Sequence, residues 1–288
     1  MTISAILVPV TGQRQGPTAI GAAFFLAGQF DSHISGLHVL PDPGAAVPYV
    51  SEGMSGDMIQ QICDATEKEG LARSKRAEAL FEEIRKSHDV ALSERAAGQT
   101  GITASWKVLQ GQEDLVIAAQ SRNTDLTVIS QPGGALGDEY VTVVEGVLFQ
   151  SGRPALVIPP AKHTDFGNTV AITWNGSAQA SRAVASAMPF LKRARKIVVM
   201  QAGGSHENIP SADEVVTYLG WHGITAESLV FTIEREKIAP TLLKKAMEVE
   251  ADLMVMGAFT HSRWRELILG GVTHYMLNSA EIPILMSH

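Results

Sequence analysis

Asp252 to Val272, read Asp-Leu-Met-Val-Met-Gly-Ala-Phe-Thr-His-Ser-Arg-Trp-Arg-Glu-Leu-Ile-Leu-Gly-Gly-Val, holds the residues of this chain best suited to gripping a phosphorylated ligand. The apolar run before Gly257 reads as a buried strand, and a glycine at its carboxyl end lets a ligand approach the backbone closely. Thr260 and Ser262 then offer hydroxyls, His261 an imidazole, and Arg263 a guanidinium able to hold a phosphate. Gly270, Gly271 and Val272 open an apolar helix whose first N–H groups have no partner within the helix and can hold phosphate oxygens. A second group, Trp174-Asn175-Gly176-Ser177, ends another apolar run. The Asn175 amide both donates and accepts, which suits an adenine or ribose edge. The competing reading is an Asn-Gly turn with a serine helix cap.

No catalytic constellation accompanies these groups. The chain has no GxxxxGK[ST] phosphate loop, no HExxH and no GxSxG, and its nine histidines are scattered. We therefore expect a protein that is not an enzyme.

The elements that must position these residues occur twice. Ile6 to Gly12 resembles Val170 to Gly176, Gly101-Ile102-Thr103-Ala104 recurs as Gly223-Ile224-Thr225-Ala226, and Asp125 to Ile129 recurs as Asp252 to Met256. Arg153 to Val157 likewise matches Ile282 to Met286. The first half carries an insertion, Pro41 to His88, that reads as a loop followed by a long charged helix packed through Leu71, Ala72, Leu80, Phe81 and Ile84. Short Val/Ile/Leu runs alternating with longer mixed segments give β-α-β-α-β-α-β-α-β in each half. In the second half we expect strands near 169–174, 196–201, 225–232, 252–257 and 283–287, with helices near 177–191, 210–221, 236–249 and 267–280. Ser177 would cap the first of these helices, and Pro210 with Asp213-Glu214 would open the second. The fold class is α/β: two tandem open, doubly wound parallel-sheet domains, 1–160 and 168–288, joined through Pro159-Pro160. Ligands of such sheets lie outside the carboxyl ends of the strands, where strand order reverses.

Composition narrows the classes further. A net charge of −7 with no long basic run argues against nucleic acid and anionic membranes as partners. The short run Lys192-Arg193-Ala194-Arg195-Lys196 reads as the end of a helix, where cations suit the dipole, ahead of a phosphate contact. Cys63 is the sole cysteine, so the chain has no internal disulfide, which fits a reducing compartment. The first residues run straight into a strand without a basic n-region, and no apolar stretch reaches spanning length, so we expect a cytoplasmic location.

With these residues in view, the chain resembles the universal stress protein family in its tandem form. ATP-binding members carry a strand-end Asp, often as Val-Asp-Gly-Ser, and later G-x2-G-x9-G-[S/T]. Here Asn175 stands in the Asp place and Gly257 and Gly270 match two glycines, while Thr260 replaces the remaining glycine and Gly271 the hydroxyl residue. Thr260 adds a Cβ where close phosphate contact is wanted, and Gly271 keeps an N–H but loses a hydroxyl donor. The first half departs further, with Thr11 in the Asp place, Ser130-Gln131-Pro132-Gly133-Gly134 at the start of the glycine pattern and Val141-Thr142 at its end.

The resemblance implies a stress-response protein that binds adenine nucleotide, ATP (with Mg2+) or AMP, in the second domain only, as a regulatory or sensing module. The first domain would bind no nucleotide and serve structurally. Family members pair through their last strands, which two linked halves would do within one chain, and the chains would form homodimers with further protein partners unidentified. The alternative is an interaction scaffold of the same fold that binds no nucleotide, which Thr260 and Gly271 favour. An enzyme or flavoprotein of similar architecture rests on fold analogy alone.

Overall fold

A computed structural model of the chain describes residues 2–12, 16–46, 55–93, 101–132, 139–161, 165–203, 209–232, 238–258 and 271–288. In the first half these form β1 (Ala5–Pro9), α1 (Gly16–Phe30), β2 (His33–Leu40), a 3-10 turn (Pro43–Ala46), α2 (Gly56–Ser87), β3 (Ala91–Leu92), β4 (Thr103–Gln110), α3 (Glu113–Ser121), β5 (Leu126–Ser130), α4 (Glu139–Gln150) and β6 (Ala155–Ile158). The second half follows with β7 (Thr169–Trp174), α5 (Ala178–Leu191), β8 (Lys196–Ala202), α6 (Ala212–Trp221), β9 (Glu227–Phe231), α7 (Ile238–Glu248), β10 (Leu253–Gly257), α8 (Gly271–Ser279) and β11 (Ile284–Ser287).

All strands join one eleven-stranded sheet in the order β3-β4-β2-β1-β5-β6-β11-β10-β7-β8-β9. Every pairing is parallel except one, β6 with β11, which runs antiparallel through Ile284↔Val157, Leu285↔Leu156 and Met286↔Ala155. Removing β3 leaves two copies of one strand order placed back to back at that seam. The last strands thus pair within the chain, as expected, and neither leaves an open edge. The seam is dry: Leu156 and Leu285 are fully buried, and the Gln131 side-chain amide crosses it to donate to the Ala280 carbonyl at 3.1 Å.

Strand residues alternate between two cores, as the pleat requires. Ile6 and Val8 face α1, α2, α5 and α6, while Leu7 faces α3, α4, α7 and α8. Helices on both faces explain why the strands read as continuous apolar runs. The repeated aspartates have one job in both halves. Asp125 accepts from the Ser4 and Ala5 amides, and Asp252 accepts from those of Gly167, Asn168 and Thr169, clamping the entry into β1 and β7.

Three details differ from the sequence reading. On α2, Leu80, Phe81 and Ile84 pack as expected but Leu71 is 48% exposed; the fully buried positions are Gly70, Ala77 and Phe81, and the glycine permits the helix to press on Pro41. The two-residue β3 was not anticipated, since Ala91-Leu92 is too short to show periodicity. Pro210 precedes α6 instead of starting it; Ser211 is the cap, with Glu214 reaching back in a full capping box.

Candidate functional site

Strand order reverses between β7 and β10, which are bonded neighbours in register Met256↔Thr173. The crevice at their carboxyl ends is where a doubly wound sheet receives ligands. Trp174, Asn175 and Gly176 leave β7 there, Gly257 ends β10, and Gly271 and Val272 begin α8. Thr260, His261, Ser262, Arg263 and Gly270 lie outside the described residues.

Trp174 is 9% exposed, and its indole N–H donates to the Pro210 carbonyl at 2.6 Å. The ring belongs to the core between β7 and α6, so its side chain positions the loop and does not present itself to a ligand. Asn175 is exposed. Its side-chain oxygen accepts from the Ser177 amide at 3.1 Å and the Ser177 hydroxyl at 2.7 Å, and Ser177 Oγ in turn accepts from the Ala180 amide at 3.1 Å. This Asx turn and serine cap satisfy donors at the start of α5. The turn-and-cap geometry recognised as the competing reading of this segment is therefore present, with Asn175 still open to solvent. Gly176 has φ +71°, and a Cβ there would collide with Ile209, so glycine is required twice over.

Packing within the fold also requires Gly257 to be a glycine. A Cβ there would stand 2.5 Å from the Ala180 amide nitrogen and 2.7 Å from the Gln179 carbonyl carbon. The missing side chain makes room for the first turn of α5. At Gly271, by contrast, no described atom comes within 4 Å of where a Cβ would be. Val272 is half-buried against the α7–α8 core. In a doubly wound sheet the helices that follow β7 and β10, here α5 and α8, start on the side of the strands' carboxyl ends, and helix amino ends favour anions.

Residues that the sequence did not single out complete the surroundings. Gln201, at the end of β8, accepts from the Ala212 amide at 2.6 Å and so fixes α6. The His288 ring bonds the Ala258 carbonyl at 3.0 Å, and its main-chain oxygen accepts from Arg182 at 2.8 Å. Their sequence neighbours give no hint of these pairings, which depend on strand order. Among the described residues no group of three His, Cys, Asp or Glu side chains could hold a metal ion, and no helix is long and apolar enough to cross a membrane.

The matching crevice of the first half is built differently. Thr11, in the place of Asn175, is 5% exposed. Gly12, in the place of Gly176, lies under α2: a Cβ would stand 2.7 Å from the Arg73 carbonyl oxygen. His38 bonds the Val10 carbonyl at 2.7 Å through Nδ1. Burial lowers its pKa, the Val10 bond opposes that and Arg73 adds to it, so the ring is neutral. The insertion helix thus covers the strand ends where a nucleotide would enter. Cys63 on that helix is half-buried with its thiol 3.6 Å from the Pro43 carbonyl, a packing role.

Comparison with known proteins agrees with this architecture. Residues 218–288 match the model of the universal stress protein family. A crystal structure of a universal stress protein from Archaeoglobus fulgidus is similar over 98% of this chain and 97% of its own, at 19% identity and TM-score 0.68. A putative universal stress protein from Pseudomonas aeruginosa is similar over 99% and 93%, at 15% identity and TM-score 0.57. The cytoplasmic domain of a prokaryotic cation chloride cotransporter shares the fold over 99% and 95%, at 13% identity and TM-score 0.52. No curated protein matches the chain. Residues 218–288 thus resemble the universal stress protein family, and the full length shares the fold of these solved structures.

Proposed function

We infer that this protein binds an adenine nucleotide, ATP or AMP, in the crevice between β7 and β10, and acts as a regulatory or sensing module in the cytoplasm. The observation that carries the reading is the contrast between equivalent strand ends: Asn175 is exposed, whereas Thr11 is buried and its neighbour Gly12 lies under α2. Asn175 would meet the base or ribose. The amides of Gly271 and Val272, together with Thr260, Ser262, Arg263 and Gly270, would meet the phosphates, and His261 would close the loop side. Mg2+ would accompany ATP through its phosphate oxygens. The module is read as one that binds, with ATP hydrolysis slow or absent. Sensing requires different affinities for two conformations.

An interaction scaffold is the second reading. It is favoured by the Asn175 oxygen being engaged with Ser177, and by Trp221, which is 84% exposed at the end of α6. Mass spectrometry of small molecules released from natively purified protein separates the two. An adenine nucleotide supports the module; protein recovered ligand-free and inert to added nucleotide supports the scaffold.

A further inference from the structure

The basic run 192–196 has no part in the crevice at the strand ends, yet it faces a cavity of its own. A cleft of about 480 Å³ opens at the amino ends of the strands, between α1 of the first half and the turn after α5 of the second. That volume suits a small organic ligand. Its walls include Phe30 and Phe190, packed edge to face at 5.4 Å, and the guanidinium groups of Arg193 and Arg195. Arg193 is already held in place: it donates to the Gln29 side-chain oxygen and lies over the Phe30 ring, 5.6 Å from its centroid. One of its five N–H donors is used there, leaving the rest. Arg195 is exposed, its main-chain amide donates to the Asn168 carbonyl at 2.8 Å, and its side chain has no hydrogen bond among the described residues.

The balance of donors and acceptors decides what fits. The main-chain amides of Gly167 and Asn168 are committed to Asp252, and those of Arg195 and Lys196 to Asn168. The one acidic lining residue, Asp165, accepts from the Asn168 side chain at 2.9 Å. That bond leaves the Asp165 charge in place, but two lining guanidinium groups outnumber it and stand beside phenyl rings, and Lys192 and Lys196 of the same run are exposed. In a chain of net charge −7, four cations within five positions form a local positive field that an anion would follow. Guanidinium pairs hold phosphate with bidentate geometry, and ring edges carry the positive part of the quadrupole.

We propose that this cleft is a second ligand site, for a small phosphomonoester with an apolar or aromatic body, gripped by Arg193 and Arg195 and bridging the two halves. The site lies at the opposite end of the strands from the nucleotide crevice. The six residues of β7 separate the two by roughly 20 Å at about 3.3 Å per residue, so the sites bind independently of any shared residue.

The test is calorimetric titration with phenyl phosphate in about 50 mM salt, where screening is weak. The expected result is one site per chain, with binding weakened about tenfold or more by Arg195→Glu and by raising the salt to about 0.5 M. Among the described residues the Arg195 side chain has no hydrogen bond or ion pair, so the melting temperature of the unliganded variant is expected to stay near the wild-type value. Inorganic phosphate binds more weakly than phenyl phosphate, because it cannot use the rings. ATP titration of Arg195→Glu is unchanged, and Gly271→Val leaves phenyl phosphate binding intact, which keeps this site separate from the nucleotide reading. Absence of phenyl phosphate binding at about 10 mM, or binding indifferent to both Arg195→Glu and Arg193→Glu, overturns the proposal.

Discussion

Replacing Gly257 with alanine separates a helix-packing role from a ligand-approach role. The new methyl would stand 2.5 Å from the Ala180 nitrogen, 2.7 Å from the Gln179 carbonyl carbon and 2.9 Å from the Gln179 Cβ. Ordinary contact lies beyond about 3.4 Å, so the start of α5 must retreat by roughly 1 Å against a core with little free space. Its neighbours there are backbone atoms that cannot rotate away, which puts the cost at the upper end of overpacking, about 3 kcal/mol. At about 2–4 °C per kcal/mol for a chain of this size class, the melting temperature falls by about 6 °C or more. Differential scanning calorimetry of wild type and Gly257→Ala measures this directly. The reasoning fails if the variant melts within about 1 °C of wild type but loses nucleotide binding, because Gly257 would then serve the ligand and not the helix.

Other substitutions probe the neighbouring parts. Gly271→Val adds a side chain where the described structure is open, so stability holds within about 0.5 kcal/mol while ATP affinity drops at least tenfold by calorimetry; equal loss of both would show a folding defect instead. Trp174→Phe strands the Pro210 carbonyl by removing its 2.6 Å partner, and urea unfolding should show a loss of about 1–2 kcal/mol. Acid sensitivity should trace in part to the buried His38 and the partly buried His33. Burial lowers the pKa of His38 and of His33 in the folded state, so below about pH 6.5 the unfolded chain takes up protons that the folded chain refuses. Stability is therefore full above that pH and is lost as pH falls, by up to about 1.4 kcal/mol per histidine for each pH unit. His38→Gln should flatten the fall in urea midpoint between pH 7.5 and 5.5; an unchanged slope would assign it elsewhere.

The internal repeat made the architecture legible before any coordinates. Paired motifs such as Asp125 and Asp252 mark equivalent points in two copies of a fold, and the strands of the second half lie within about two residues of expectation because apolar runs bounded by caps and glycines are strong local signals. Ser177 worked as a cap for the same reason. What stayed hidden depends on tertiary contact. Nothing local shows that a neighbouring helix requires a glycine, and at Gly257 only the closeness of Gln179 and Ala180 reveals it. Trp174 reads equally as a stacking surface or a core ring, and only the Pro210 carbonyl decides. The covering of Gly12 by α2 required knowing where a long insertion folds back, which its charge pattern does not encode.

The central claim, one nucleotide seated in the second half alone, is met most directly by titrating ATP into wild type and into Asn175→Asp. The account predicts one ATP per chain, with affinity raised a few-fold in Asn175→Asp because a carboxylate keeps the Ser177 bonds and adds a charged acceptor for a ribose hydroxyl. Two ATP per chain, or no heat at millimolar ATP and AMP in either protein, would contradict it.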